Sequence, residues 1–325
     1  MHGSIRGSII IENLKKMSEL YEDSSATWSL KRCIASGSTA QIFLASGPEE
    51  SKEAVVKLFN SEIQPGMVDS EVEILGSLLH PNIIELKGVS TFTSTRMESR
   101  RALVLEYASR GDLFDLVHNY GPLSQSVARY YFHQMLDALE YLHERAHVSH
   151  GDIKPENICI DDQFNIKLTD FGHAKRIGRK ELITDIQGTP EYLSPEMHKK
   201  ESYNPYQSDL FALGITLFVM VAGTLPFESA TQEEELYKLI IEGNLEEFWA
   251  IHEEMSVENF GFSCPQGFYS KEFRELINRL LAYDPSDRFE SVSEIKKAKW
   301  CQRALLRNKD VQSLMEQIAL KKHIK

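Results

Sequence analysis

The chain has 325 residues, 42% apolar and 26% charged, with a formal net charge of -12. That length can bury a substantial core in one or two domains, and the composition is that of a globular protein. The acidic balance argues against nonspecific nucleic-acid binding and sits better with a cationic partner such as a basic peptide. Cys33, Cys159, Cys264 and Cys301 have neither CxxC zinc spacing nor the density of a disulfide framework. Reduced thiols in a cytoplasmic or nuclear compartment are expected. Residues 1–20 are interrupted by Glu12, Asn13, Lys15 and Lys16, unlike a signal peptide. The longest apolar stretch, Phe211 to Gly223, falls short of the roughly 20 residues of a membrane span; no span is expected.

In chain order, Ile9 to Tyr21 reads as a short helix and Glu22 to Thr27 as a polar connector. Gln41 to Ala45 and Ala54 to Phe59 look like strands. Val68 to Leu79 follows as a helix, with Val72, Leu75, Leu78 and Leu79 near helical spacing. Ile83–Val89 and Ala102–Tyr107 predict two further strands, and the Ser-, Thr- and Arg-rich stretch Ser90 to Arg101 a mobile loop. After Gly111 the pattern turns helical: Leu123 to Glu144, the apolar Ser208–Gly223, then 231–241, 271–282 and 291–305. A strand-rich segment followed by a helix-rich one implies an α+β class in two lobes.

The chemistry concentrates in His150-Gly151-Asp152, then Lys154-Pro155-Glu156-Asn157, then Asp170-Phe171-Gly172. Asp152 is placed to take a hydroxyl proton and Lys154 to offset phosphoryl charge. Asn157 and Asp170 offer two oxygen ligands suited to a hard cation such as Mg²⁺. Single short stretches of this kind arise as turns, because Asp, Asn and Gly favour them. This ordered series does not.

The series closely resembles the H-R-D-L-x-x-x-N and D-F-G segments of eukaryotic protein kinases. The resemblance runs from about Trp28 to Trp300. It implies a bilobal protein kinase fold: an N-terminal extension (1–27), an N-lobe (28–107), a C-lobe (108–300) and a basic amphipathic tail (301–325). It implies ATP and Mg²⁺ as cofactors, with Mn²⁺ as a substitute. Ala54-Val55-Val56-Lys57 looks like the V-A-I-K strand, so Lys57 would pair the nucleotide's α- and β-phosphates, held by Glu71, with Glu73 as rival. Ile34 to Ile42 aligns with G-x-G-x-x-G-x-V, keeping only Gly37, with Ala35 and Ala40 at the outer positions. Leu105 would be the gatekeeper, Glu106 and Ala108 the hinge, and Asp112 the ribose contact. Ile42 and Ala54 would pack above the adenine and Cys159 below it, with Ile34 a further nucleotide-binding residue.

Gly188-Thr189-Pro190-Glu191-Tyr192-Leu193-Ser194-Pro195-Glu196 is similar to the segment ending in A-P-E, with Thr189 the threonine that meets the catalytic Asp and Lys. By the same mapping Asp209 anchors the catalytic loop, Arg288 pairs with Glu196, and Leu75, Leu86, His150 and Phe171 form an apolar column. Lys154 and Thr189 point to the serine/threonine type, most like the calmodulin-dependent and AMP-activated branch. Gly151 stands where most members carry Arg, a non-RD pattern, so no phosphate clamp is expected there. Thr184 is the candidate phosphosite. Asp112 and Glu156 favour serine or threonine substrates with upstream basic residues. The tail could bind calmodulin or another regulator, or pack on the large lobe. Ala35, Ala40 and Gly151 also fit a pseudokinase scaffold that binds nucleotide.

Overall fold

The computed structural model describes residues 21–23, 27–47, 53–95, 97–260 and 268–322. The chain forms two compact units, one of residues 1–79 and 84–107, the other of residues 80–83 and 108–325. The class is α+β, with the sheet in the first unit and most helices in the second.

The small unit is an antiparallel sheet of β1 (Tyr21–Asp23), β2 (Ser29–Ser36), β3 (Ala40–Ser46), β4 (Glu53–Phe59), β5 (Leu86–Ser94) and β6 (Ser99–Leu105), with helix α1 (Pro65–Gly76). The strand order is β1-β5-β6-β4-β3-β2. Side chains alternate across a strand. Ala54, Val56 and Leu58 therefore share one face, where Cys33, Phe43, Ala45, Phe92, Ala102 and Val104 complete a core. Val55 and Lys57 belong to the opposite face.

Three sequence expectations are corrected here. The connector after residue 21 opens as a strand: β1 pairs with Phe92–Ser94 of β5. The Asp23 carboxylate accepts from the Thr27 and Trp28 N–H groups at 2.9 Å each and from the Ser90 hydroxyl. The helix read over Ile9 to Tyr21 lies outside the described residues, apart from Tyr21 in β1. The stretch read as a mobile loop is a hairpin, paired from Ser90↔Ala102 to Thr93↔Ser99. Its Ser and Thr content suggests a loop, but β-branched Thr91 and Thr93 suit a pleated strand. Helix α1 stops at Gly76, leaving Leu79 84% exposed.

The large unit contains α2 (Leu113–Tyr120), α3 (Gln125–Glu140), α4 (Pro205–Ala222), α5 (Glu235–Ile241), α6 (Leu245–Phe260), α7 (Lys271–Leu280) and α8 (Asn308–Lys322). Its short strands pair as β7 (Val148–Ser149) with β10 (Lys175–Arg176), and as β8 (Ile158–Ile160) with β9 (Ile166–Leu168). Helix α4 starts where the Asn204 side chain accepts from the Tyr206 and Gln207 N–H groups, with Pro205 in its first turn. Its 18 residues have a mean hydropathy of 1.3, but 89% of them are buried, so it is the central core helix of this unit. The long helix expected from Leu123 ends earlier, passing at Tyr141 into a wider π turn closed by His147 in the left-handed region. The helix expected at 291–305 shrinks to Val292–Ile295. Beyond it Trp300 is buried, its carbonyl accepting from Arg129 Nε at 2.7 Å. The tail helix α8 buries Val311 and Met315.

Candidate active site

The loop carrying Asp152 is held from α4. Asp209, buried, accepts from the His150 and Gly151 N–H groups at 2.8 Å each and lies 2.9 Å from His143 Nε2. The His150 ring accepts from Asp152 N through Nδ1 at 3.2 Å, and its Nε2 lies 3.1 Å from the Thr169 carbonyl. A carbonyl only accepts, so Nε2 carries the proton and the ring is neutral. Burial, which holds this imidazole below its ordinary pKa, agrees. Phe171 meets the ring edge-on, with centroids 4.9 Å apart.

The Asp152 carboxylate fills every acceptor position it has. Oδ1 accepts from Thr189 N at 3.0 Å and Thr189 Oγ1 at 2.7 Å. Oδ2 accepts from Asn157 Nδ2 at 2.9 Å and sits 2.8 Å from Lys154 Nζ. Burial alone would raise its pKa; the Lys154 and Thr189 contacts overcome this and hold it below the usual carboxylate range. Lys154 Nζ also donates to Thr189 Oγ1 at 2.5 Å, so acid, lysine and threonine form one network.

Asn157 places both N–H bonds on Asp152, one on its carboxylate and one on its carbonyl at 2.8 Å, which presents Oδ1 as the acceptor end of the amide. Thr169 N donates to Asn157 O at 2.9 Å, setting Asp170 beside it. Asp170 has a φ of +62°, a strained state for a residue with a side chain. Among the described residues no group of three or more His, Cys, Asp or Glu is arranged for a metal. Two hard oxygens fit Mg²⁺, which keeps water and substrate phosphate as its other ligands.

Two glycines join this loop to the segment after Asp170. Gly151 has a φ of +80°, and a Cβ there would lie 2.7 Å from the His173 carbonyl oxygen. Gly188 has a φ of +110°, and its Cβ would lie 2.8 Å from the Gly151 oxygen. Backbone therefore packs directly on backbone where a side chain is usual. Along the same segment Lys175 Nζ lies 2.6 Å from Asp185 Oδ2, and Gln187 Nε2 donates to that oxygen at 2.9 Å. Gln187 Oε1 in turn lies 3.0 Å from His173 Nδ1. At the segment's end Glu196 receives both Arg288 Nη atoms at 2.8 Å. Burial opposes the charge on Glu196, but Arg288 keeps its pKa low. Such a pair is structural, and losing one partner costs about 3–5 kcal/mol.

In the small unit Lys57 Nζ lies 2.6 Å from Glu71 Oε1, both side chains buried, while Glu73 is exposed. Ile42 stands opposite Lys57 in the β3–β4 register and so shares its face. Ala54 does not line that face. It pairs with Ala45 in the opposite core, fully buried, and the alternation gives its expected place to Val55. Val55 is two residues before Lys57, the spacing that would have identified it. Leu105 is buried opposite Val55. Ile34 lies in a bulge between Cys33 and Ala35, 37% exposed. Glu106 N donates to Glu85 O at 2.9 Å, so its N–H serves the sheet.

The hairpin over residues 36–40 uses no left-handed backbone, and a Cβ on Gly37 would meet only the Ala40 oxygen at 3.7 Å. Asn60 holds it instead, donating to Ser38 O at 2.8 Å and Gly37 O at 3.3 Å. Arg100 secures Asn60 Oδ1 at 2.7 Å and Phe59 O at 2.6 Å. The sequence reading missed both residues, since neither belongs to a motif.

In the large unit, which Ala108 begins to trace, Asp112 caps α2 by accepting from Asp115 N at 2.7 Å. Burial, then Asp115 and Glu156, push its pKa up to about 6. Cys159 forms a bridge with Asp112, and burial, then Asp112, push its thiol up to about 12. Such burial disfavours the thiolate.

A neutral histidine, a fully bonded aspartate, a lysine–threonine partner and two hard oxygens define a phosphotransferase class of site. Residues 28–301 match the family described as the protein kinase domain, and the chain belongs to that family. Membership implies use of ATP and a divalent metal, as a rule Mg²⁺. The chain is 32% identical over 275 residues to CBL-interacting protein kinase 11 of Oryza sativa subsp. japonica, covering 82% of this chain and 50% of that one. It is 32% identical over 279 residues to CBL-interacting serine/threonine-protein kinase 8 of Arabidopsis thaliana, covering 84% and 57%. It is also 32% identical over 281 residues to serine/threonine-protein kinase SIK2 of Gallus gallus, covering 85% and 32%. The chain thus spans about half the length of these relatives, or less, and the kinases it resembles are of the serine/threonine type.

Proposed function

We propose that this chain transfers the γ-phosphoryl group of ATP to serine or threonine hydroxyls of protein substrates. The observation that carries this reading is the Asp152 carboxylate, kept ionised within bonding distance of Lys154, Asn157 and Thr189. Bound Mg²⁺-ATP, with Mn²⁺ as a substitute metal, supplies the phosphoryl group and offsets charge on its oxygens. Asn157 and Asp170 hold the cation. Lys57, fixed by Glu71, takes the α- and β-phosphates. Asp152 orients the substrate hydroxyl and accepts its proton. Its four acceptor positions are filled, so the hydroxyl reaches Oδ2 as Lys154 turns to the phosphoryl group. Charge neutralisation and base access are then coupled.

The test is transfer from Mg-ATP to an Arg-containing Ser/Thr peptide beside an Asp152→Asn variant. The variant is expected to lose at least about two orders of magnitude. Equal transfer by both would remove Asp152 as base. Transfer by neither, with nucleotide still bound, would favour a nucleotide-binding scaffold.

Substrates with upstream basic residues are the finer reading. Asp112 and Glu156 are close enough for Glu156 to help raise the Asp112 pKa, and a guanidinium there would relieve that repulsion. A peptide library selecting proline or acids instead would overturn it. Activity without phosphorylation of the segment is supported by Gly151 and by the carboxylate of Asp185 already seated on Lys175. Thr184, exposed beside Asp185, is the phosphosite candidate. For the tail, burial of Val311 and Met315 supports packing on the large unit over calmodulin binding; titration with Ca²⁺–calmodulin tests it. The free thiols of Cys33, Cys159 and Cys301 support a reducing compartment, cytoplasmic or nuclear.

A further inference from the structure

The strands β8 and β9 form a hairpin whose two open ends lead to the site. Asn157 leads directly into β8, and β9 leads through Thr169 into Asp170. Both residues assigned to the metal are thus the open ends of one two-stranded ribbon, and whatever tilts the ribbon moves both. Its closed end, residues 161–165, is a tight turn. The Asp161 Oδ1 atom accepts from Gln163 N and Asn165 N at 2.9 and 2.8 Å. Phe164, buried, is forced to a φ of +60°, a conformation that persists only where surroundings dictate it.

Those surroundings come from two sides. Arg110 lays its guanidinium 3.8 Å from the centre of the Phe164 ring and donates to Asp162 O at 3.1 Å. From the tail, Asn308 at the start of α8 shares its amide N–H groups among Gln163 O at 2.9 Å, Asn165 Oδ1 at 3.2 Å and Tyr130 OH at 2.8 Å. Gln312, one turn on, adds a bond to Gln163 O at 3.1 Å. Tyr130 OH donates to Asn165 Oδ1 at 3.1 Å, so the network closes on itself. Val311 and Met315, buried, hold the helix against the unit.

We propose that Asn308 is a positioning residue for the metal ligands, and that the tail helix sustains the site by fixing the closed end of the ribbon that carries them. The inference rests on reading Asn157 and Asp170 as those ligands. It assigns the tail a supporting sign, opposite to that of an inhibitory segment.

The experiment uses the full chain, Asn308→Ala, Asn308→Asp and a chain ending at Leu306. Asn308→Asp keeps the shape but turns a carboxylate towards three acceptors. Mg²⁺ dependence of fluorescent ADP-analogue binding is read beside amide hydrogen exchange over residues 161–165. Both point variants are expected to raise the Mg²⁺ needed for half-saturation by roughly threefold to tenfold, less than for a group bonded directly to a ligand. Asn308→Asp has the larger effect. Metal-free nucleotide affinity stays unchanged, and exchange at the turn accelerates. Unchanged Mg²⁺ dependence with only a lower melting temperature would reduce the tail to a structural brace and overturn the proposal. Faster peptide phosphorylation by the shortened chain would also overturn it. A parent chain whose nucleotide binding ignores Mg²⁺ would instead sink the ligand assignment beneath it, and an Asp170→Asn control tells the two failures apart.

Discussion

The hairpin over residues 36–40 and the catalytic loop at Gly151 treat glycine in opposite ways. The hairpin keeps one glycine of its family's three, and its backbone needs none: no residue there is left-handed, and Gly37 has room for a methyl group. The catalytic loop carries glycine where relatives of its pattern carry Arg, and there backbone geometry demands it. The lesson is that a departure from a motif is read by φ and by the nearest atom, not by the residue lost. Asn60 and Arg100 hold the shape of the hairpin that Ala40 closes, and at Gly151 the backbone of Gly188 closes on the carbonyl.

The strongest challenge to that contrast is Gly151→Arg. Left-handed backbone with a side chain costs about 1–3 kcal/mol, and the overlap with the His173 carbonyl adds to it. Calorimetry is expected to show a melting temperature lowered by several degrees, and peptide phosphorylation to fall by more than tenfold. A variant of full activity would show that the loop relaxes freely and would end the argument. Gly188→Ala is expected to behave similarly.

Asn60→Ala probes the other side. Removing its bonds frees the hairpin tip while leaving Lys57 and Glu71 in place. At about 1 kcal/mol for each of its two bonds to the hairpin, the KM for ATP is expected to rise by up to about thirtyfold with kcat nearly kept. A fall in kcat with KM unchanged would contradict a positioning role.

Thr189→Val tests the carboxylate that both glycines serve. The hydroxyl bond helps hold the Asp152 pKa low, and its loss raises that pKa. A depressed carboxyl contributes stability above its unfolded pKa and loses it as pH falls through the folded value. In the variant both that loss and the acid limb of kcat/KM therefore move to higher pH. An acid limb that stays put would assign it to another group. The smallest effects are expected for Gly37→Ala and Ala40→Gly, within about 1 kcal/mol of stability by thermal melting. If Gly37→Ala keeps its stability but loses nucleotide affinity, close phosphate approach is the reason glycine stays.

Residues inside contiguous motifs were legible from sequence, because kinases repeat them at fixed spacing. Asp152, Lys154, Asn157, Asp170 and Thr189 were singled out that way; the fold brings Asp152, Lys154, Asn157 and Thr189 into one bonded group, and Thr169, bonded to Asn157 O, leads into Asp170. Strand register was less legible: Ala54 and Val55 are both small and apolar, and only the alternation from Lys57 separates them. Illegible were contacts made across long separations, such as Asn60 with Arg100 or Asn308 with the turn at 163–165. Nothing local marks such residues. Composition misled at Ser90–Arg101, where polar β-branched Thr91 and Thr93 lie half-buried in a paired strand.

The pairing of that strand carries a practical consequence. Strand β1 lies before the family's boundary at residue 28, yet it covers Phe92–Ser94 of β5. An uncovered strand presents a row of unused peptide groups, a template for pairing with another chain. A chain trimmed to residues 28–301 would retain all the residues assigned to catalysis and still acquire a self-association surface that the longer chain conceals with three residues.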